Sequence, residues 1–174
     1  MTRTSGTDIQ VEVRPLDIEV FEDFASAMRA AYPEWSGALW RKETIARLIE
    51  LFPEGQLGVL VNGKLAGCAL SIIVDIDKIG LDHTYNAITG NYTFSTHDPQ
   101  GTVLYGIEVF IHPDHRGMRL GRRLYEARKE LCERLDLRSV MFGGRIPKYH
   151  EHATTLSPKE YIRKVREKEI HDPV

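Results

Sequence analysis

An α/β fold follows from three observations on this 174-residue chain. A first half reads strand, helix, helix, hairpin, and a second half reads β-α-β-α. A nearly continuous apolar run, Val103–Ile111, suits a central strand covered on both faces. Directly after it, Leu120, Leu124, Ala127, Leu131 and Leu135 form an apolar stripe at helical spacing. The chain is 42% hydrophobic and 28% charged with a net charge of −2, too apolar for disorder and too balanced for a solvating tail. A chain this long can bury about 70% of its unfolded surface, so no disulfide or metal staple is required.

The elements follow in order. Residues 1–8 are polar and expected to be loose, and residues 9–174 form the domain. Ile9, Val11 and Val13 alternate with polar residues as a half-buried strand. Asp17 caps a helix whose Val20, Phe21, Phe24, Ala25, Met28 and Ala31 share one face, and Pro33 ends it. A second helix spans about Lys42–Phe52. Leu57–Val61 and Leu65–Val74 are strands joined at Asn62-Gly63, two residues that accept positive φ. Asp75–Gln100 is a long excursion rich in Thr, Asn and aromatics, expected to hold a short helix or hairpin and to carry function. Val103–Ile111, a helix Met118–Leu135 and a short strand Ser139–Phe142 come next. Ser157-Pro158-Lys159-Glu160 is a capping box with Pro at the first helical position, opening a helix to about Lys168.

Several function classes fall away. No apolar run approaches the roughly 20 residues of a membrane span, and Met1–Gln10 lacks a signal-peptide core, so a cytoplasmic protein is expected. The near-neutral charge does not point to nucleic acid. Cys68 and Cys132 each sit in an apolar stretch and read as small buried hydrophobes. His150 and His152 are spaced as a ligand pair, but no third and fourth ligand follows, so no metal site is expected.

The chemistry concentrates between Ile107 and Arg123. An apolar strand ends at Ile111-His112-Pro113, a short polar turn follows, and Arg116-Gly117-Met118-Arg119-Leu120-Gly121-Arg122-Arg123 opens a helix. The first turn of a helix has unpaired N–H groups and a partial positive charge. Gly117 and Gly121 permit close approach, and four arginines crowd the end where the dipole disfavours cations, as an anion would require. The site suits a phosphate or pyrophosphate, although neither GxxxxGK[ST] nor GxGxxG is present. Arg128 and Lys129, further along, read as a solvated helix face.

The stretch Arg116-Gly117-Met118-Arg119-Leu120-Gly121, entered from Val109-Phe110-Ile111-His112-Pro113, resembles the acyl-CoA-binding motif of the GNAT N-acetyltransferases. The order of elements along most of the chain is similar to theirs as well. Tyr32-Pro33-Glu34-Trp35, Gly143-Gly144-Arg145-Ile146-Pro147 and Tyr149-His150 further resemble the acetyltransferase module that precedes a carbon–nitrogen hydrolase (nitrilase-like) domain in bacterial two-domain proteins.

The resemblance implies a mixed, mostly antiparallel sheet with a splayed parallel pair and helices on both faces. The family fold adds two strands after its last helix, so the chain is expected to be C-terminally incomplete. It implies acetyl-CoA as co-substrate and direct transfer to a primary amine of a small molecule or peptide. Val109 and Ile111 are expected to pair with the pantetheine arm, and Arg116, Gly117, Met118, Arg119, Leu120, Gly121 and Arg122 to hold the phosphates. The pattern favours Gly where Arg119 stands, and a helical residue there needs no positive φ.

Glu108 interrupts the apolar strand and is the candidate base, a reading that stands beside a Glu paired with a neighbouring Arg or facing a wet cleft. Tyr149 is the candidate acid for the departing thiolate, beside a packing or acceptor-binding role, and His150 and His152 could serve instead or be plain surface residues. Trp35, Trp40, Tyr85, Tyr92 and Phe94 are expected near the acceptor, or as anchors of their loops, and Asp77, Asp82 and Asp98 could attract a cationic amine. The competing function is a non-catalytic acyl-CoA-binding module of a fused or partner carbon–nitrogen hydrolase. Expected contacts are a second copy of the chain or that hydrolase domain.

Overall fold

The computed structural model describes residues 8–34, 37 and 39–172. Residues 1–7, which fall in the segment expected to be loose, Trp35 and the last two residues lie outside the described residues. Two units follow one another along the chain, the first ending at Phe142 and the second beginning at Gly143.

The first unit is a five-stranded sheet in sequence order, β1 (Val11–Pro15), β2 (Gln56–Val61), β3 (Lys64–Val74), β4 (Val103–Ile111) and β5 (Ser139–Phe142). The first four are antiparallel neighbours, and β4 pairs β5 in parallel. The Asn62-Gly63 turn joins β2 to β3 with φ of 50° and 81°, the doubly positive geometry of a tight hairpin. Helix α1 (Phe21–Ala31) and α2 (Lys42–Leu51) cover one face. Their apolar sides bury Phe24, Met28, Ile45 and Leu48 against Leu70, Ile72 and Phe110. Each such side chain contributes about 1.5–3 kcal/mol by leaving water. Two single-turn helices, α3 (Ile76–Ile79) and α4 (Tyr85–Ile88), stand in the excursion. The opposite face is covered by α5 (Leu120–Arg134), through Leu120 and Leu124 against Val59, Ala69 and Val109, and through Leu131 against Leu104. Cys68 and Cys132 are buried free thiols, as expected.

The excursion is anchored rather than loose. Thr84 caps α4 by accepting from the Ala87 N–H (3.1 Å), and Ile88 and Phe94 are buried in the core. The Ile73 N–H donates to Nδ1 of His97 (3.1 Å), whose ring stacks on Phe52. Burial lowers the His97 pKa, and protonation of Nδ1 would also remove the acceptor that Ile73 uses. Its contribution to stability is complete above the unfolded value of about 6.5 and is lost as pH falls through the depressed folded value. Urea denaturation between pH 7.5 and 5 is expected to show that loss, and His97→Gln to flatten it. An unchanged slope in the variant would show that His97 is not the source.

The second unit contains α6 (Pro158–Arg166). Ser157 accepts from the Glu160 N–H while Glu160 accepts from the Ser157 N–H, the reciprocal box read from the sequence. Tyr161 is buried and its hydroxyl donates to Asp172 (2.8 Å). Burial and that carboxylate push its pKa up to about 12.

Candidate active site

The site is built where β4 and β5 part. Their pairing covers Val103–Gly106 against Ser139–Phe142, after which β4 continues alone to Ile111. On its other side β4 stays paired with β3 through Gly67↔Ile111. The His112 N–H donates to Ala66 O (2.7 Å), so even-numbered peptides here face β3. Alternation turns the peptides of Val109 and Ile111 to the open edge. The Val109 carbonyl accepts instead from the Tyr32 hydroxyl (3.2 Å), and the Val109 N–H donates to Oε1 of Glu108 (3.0 Å).

Glu108 is held at this edge by two more donors. The Tyr32 hydroxyl donates to its Oε1 (2.9 Å) and the Trp40 indole Nε1–H to its Oε2 (3.2 Å). Tyr32 ends α1 and Trp40 precedes α2, so both helices contribute to one carboxylate. Among the described residues no Lys or Arg forms an ion pair with the Glu108 carboxylate, so a pairing with a neighbouring Arg is not found there. Around it, Trp40 lies edge-on to Tyr92 (5.7 Å between centroids) and Tyr92 meets Tyr85 (5.8 Å). Tyr85 and Tyr92 are about half exposed, while Phe94 stacks on Trp40 from the buried side and is a core anchor. The Tyr85 hydroxyl donates to Ile107 O (2.9 Å). Burial, and then the Glu108 charge, push its phenol far above the ordinary range.

His83 and Tyr105 complete this side. The Gly80 carbonyl accepts from His83 Nδ1–H (2.8 Å), which leaves Nε2 of the neutral ring to accept from the Tyr105 hydroxyl (2.9 Å). The sequence does not mark Tyr32 as a partner of Glu108, nor the His83–Tyr105 pair. Nothing local marks them, because they meet β4 only through the tertiary fold. Asp98 is accounted for otherwise: Lys78 pairs with it and with Asp75 (3.0 Å each) and holds both carboxyls below the usual range.

The loop between β4 and α5 carries the predicted anion-binding residues. After a single 3₁₀ turn at Pro113–His115, Gly117 takes φ +83° with open space around it. Helix α5 starts at Leu120, two residues later than its apolar spacing suggests. Arg119 is its N-cap, in the left-handed region (φ 56°, ψ 28°), with no side-chain cap. This corrects the expectation that a residue here needs no positive φ, and it explains why the motif favours Gly. The first helical bond is the Arg123 N–H to Arg119 O (3.3 Å), so the N–H groups of Leu120–Arg122 lack intrahelical acceptors. Arg116, Arg119, Arg122 and Arg123 are exposed, and Arg122 pairs with Glu126 (2.7 Å). Left-handed geometry costs a non-glycine residue about 1–2 kcal/mol, against 0.5–1 kcal/mol of extra chain entropy for Gly. Arg119→Gly is therefore expected to stabilise the fold by roughly 0.5 kcal/mol in chemical denaturation. A loss of stability would refute the strain.

Arg128 contradicts its expected place on a solvated face. It is 1% exposed, and its guanidinium reaches under β4. Tyr149 belongs to the second unit, where its hydroxyl donates to Leu156 O (2.9 Å) and its ring packs edge-on to Tyr161. Among the described residues no group of three His, Cys, Asp or Glu side chains could hold a metal ion. No helix among them is long and apolar enough to cross a membrane.

The splayed parallel pair and the arginine-rich helix start without a side-chain cap are the geometry expected from the resemblance to the GNAT fold. The model of the acetyltransferase (GNAT) family matches residues 19–153, and the chain belongs to that family. A probable hydrolase of Bacillus subtilis (strain 168), YhcX, is 42% identical over 135 residues, covering 78% of this chain and 26% of that protein. An uncharacterized N-acetyltransferase of the same organism, YkwB, is 34% identical over 136 residues, 78% of this chain and 60% of that protein. The chain thus spans less than two thirds of either relative. The loading GNATL domain of CurA from Lyngbya majuscula shares the fold with a TM-score of 0.75 at 23% identity, over 94% of this chain and 79% of that one.

Proposed function

We propose that this domain transfers an acetyl group from acetyl-CoA directly to a primary amine of a small molecule or peptide. The observation that carries the reading is the Glu108 carboxylate, held by Tyr32 and Trp40 beside the Val109 peptide and bordered by aromatic side chains, with no ion pair to it among the described residues. An ammonium group is attracted to such a carboxylate and to the ring faces around it. In the reaction the bound ammonium first gives one proton to solvent, and the neutral amine nitrogen then attacks the thioester carbonyl. As the C–N bond forms, the nitrogen becomes strongly acidic, and Glu108 takes its proton. The Val109 N–H then turns from Glu108 to the oxyanion, which its position on the open edge permits. The C–S bond breaks and the thiolate takes up a proton. Tyr149 is the proposed donor, and in that role its hydroxyl leaves the Leu156 carbonyl. The loop Arg116–Arg122 and the peptides of Val109 and Ile111 hold the phosphates and the pantetheine arm.

The test is thiol release from acetyl-CoA across a broad panel of primary amines, on the longest natural chain. Turnover that Glu108→Gln removes supports the reading. Turnover untouched by Glu108→Gln, or none with any amine, rejects it.

A second reading rests on the likeness to YhcX, of which this chain covers 26%. Here the domain is the acyl-CoA-binding regulatory module of a longer polypeptide with a carbon–nitrogen hydrolase part, lying against that part or against a second copy in the cytoplasm. Calorimetric CoA binding with no thioester turnover on any amine would select it.

A further inference from the structure

The strand that carries Glu108 is not regular. Ser71 faces Gly106 and Leu70 faces Glu108, so Ile107 is an extra residue opposite nothing on β3. This bulge decides where the carboxylate points. Up to and including the extra residue, Val103, Tyr105 and Ile107 join the core under α1 and α2, while Leu104 joins the α5 side. After it, Phe110 lies on the α1 side, and Val109 and Ile111 on the α5 side. The parity has reversed. In an unbulged strand residue 108 would follow Leu104 and Gly106 to the α5 face, away from Tyr32 and Trp40.

One side chain closes the bulge from the α5 side. The Nε–H of Arg128 donates to Ser71 Oγ (3.1 Å), and its Nη2 donates to Leu70 O (2.7 Å) and to Glu108 O (2.6 Å). These acceptors lie on both strands of the bulged step. A Cβ at position 106 would lie 3.0 Å from Cζ and Nη1 of Arg128, so Gly106 is the residue that lets the guanidinium in. No carboxylate contacts Arg128 among the described residues, although Tyr125 stacks near it (5.9 Å). Burying a guanidinium without an acid partner is costly, and burial indeed lowers its pKa. A packing role alone would be met at less cost by an apolar side chain.

We propose that Arg128 is a positioning residue of the transfer reaction: it locks the β4 bulge, and the bulge aims Glu108 at the open edge. Its catalytic consequence rests on the reading of Glu108 as the base, while its structural half stands apart from it. A planar fork with fixed donors suits three divergent acceptors, which a lysine cannot reach together.

The two halves are read separately. The chain has two tryptophans, so the indole N–H region of a ¹H–¹⁵N spectrum holds two side-chain signals, with Trp40 assigned by Trp40→Phe. Arg128→Met keeps volume without charge. It is expected to move the Trp40 indole signal, to leave the KM for acetyl-CoA within about twofold, and to lower kcat by about tenfold or more. Arg128→Lys is expected to fall between wild type and Arg128→Met. Combined with Glu108→Gln, Arg128→Met should add no further loss, because both act through one carboxylate. An unmoved Trp40 signal, or losses that multiply in the double variant, would overturn the proposal. If Arg128→Met does not fold, Ser71→Ala decides, since it removes one acceptor and leaves the charge. It is expected to move the same signal and lower kcat severalfold, and an unmoved signal overturns the proposal. If Glu108→Gln leaves kcat intact while Arg128→Met still moves the Trp40 signal, the base assignment fails and the positioning role stands.

Discussion

Replacing Glu108 by Gln is expected to lower kcat by about 10²- to 10⁴-fold, the range for removal of a positioned general base. The KM for acetyl-CoA should stay within about twofold, because the residues proposed to hold the donor lie on the open edge and the Arg116–Arg122 loop. The substitution is close to isosteric. The Gln carbonyl can still accept from Tyr32 or Trp40, so the site keeps its shape and loses its charge. Tyr32→Phe separates orientation from proton transfer. It removes the one hydroxyl proton that Glu108 Oε1 and the Val109 carbonyl share but leaves the carboxylate. Its expected loss is about tenfold in kcat, smaller than that of Glu108→Gln. Equal kcat in Glu108→Gln and wild type, on an amine that the wild type acetylates, would end the case for Glu108 as base.

What the sequence discloses here is what depends on near neighbours along the chain. Asn62-Gly63 announces its hairpin because both residues tolerate the positive φ they adopt. Ser157 and Glu160 announce a helix start because their box spans three residues. The apolar run of β4 and the arginine-rich turn behind it mark the site from sequence alone, and Glu108 stands out because it breaks that run. What stays hidden is long-range. Tyr32 and Glu108 are 76 residues apart, and neither residue's neighbours specify the other. Arg128 sits among Lys129 and Glu130 in a helix whose charged residues look solvated, and only the bulge opposite gives it acceptors. One local signal was available: a glycine inside a strand, Gly106, marks a bulge or a close approach, and here it marks both. Arg119 misleads for a related reason. Its backbone angle belongs to the turn before the helix, and the apolar spacing that begins at Met118 draws the boundary too early.

Arg116→Ala together with Arg122→Ala should weaken CoA binding by about 10- to 100-fold in calorimetry. Each exposed guanidinium–phosphate contact contributes about 1 kcal/mol, below the 1.5–3 kcal/mol of a sheltered charged hydrogen bond. Two of them come to about 2 kcal/mol, or roughly 30-fold. Part of that loss is offset, because Arg122 gives up its pairing with Glu126 to reach a ligand. The orphan N–H groups at the start of α5 and the open turn at Gly117 are untouched, so binding should be reduced rather than abolished. The deficit should also shrink with added salt, since screening weakens the wild-type contacts more than the backbone ones. Arg134→Ala is the single-charge control: it removes one positive charge from the far end of α5, where Arg134 pairs with Glu54, and should leave CoA affinity unchanged. Equal affinity in the double variant and the wild type would place the phosphates elsewhere. It would count against both the transferase and the regulatory reading, because both require this loop to hold the donor.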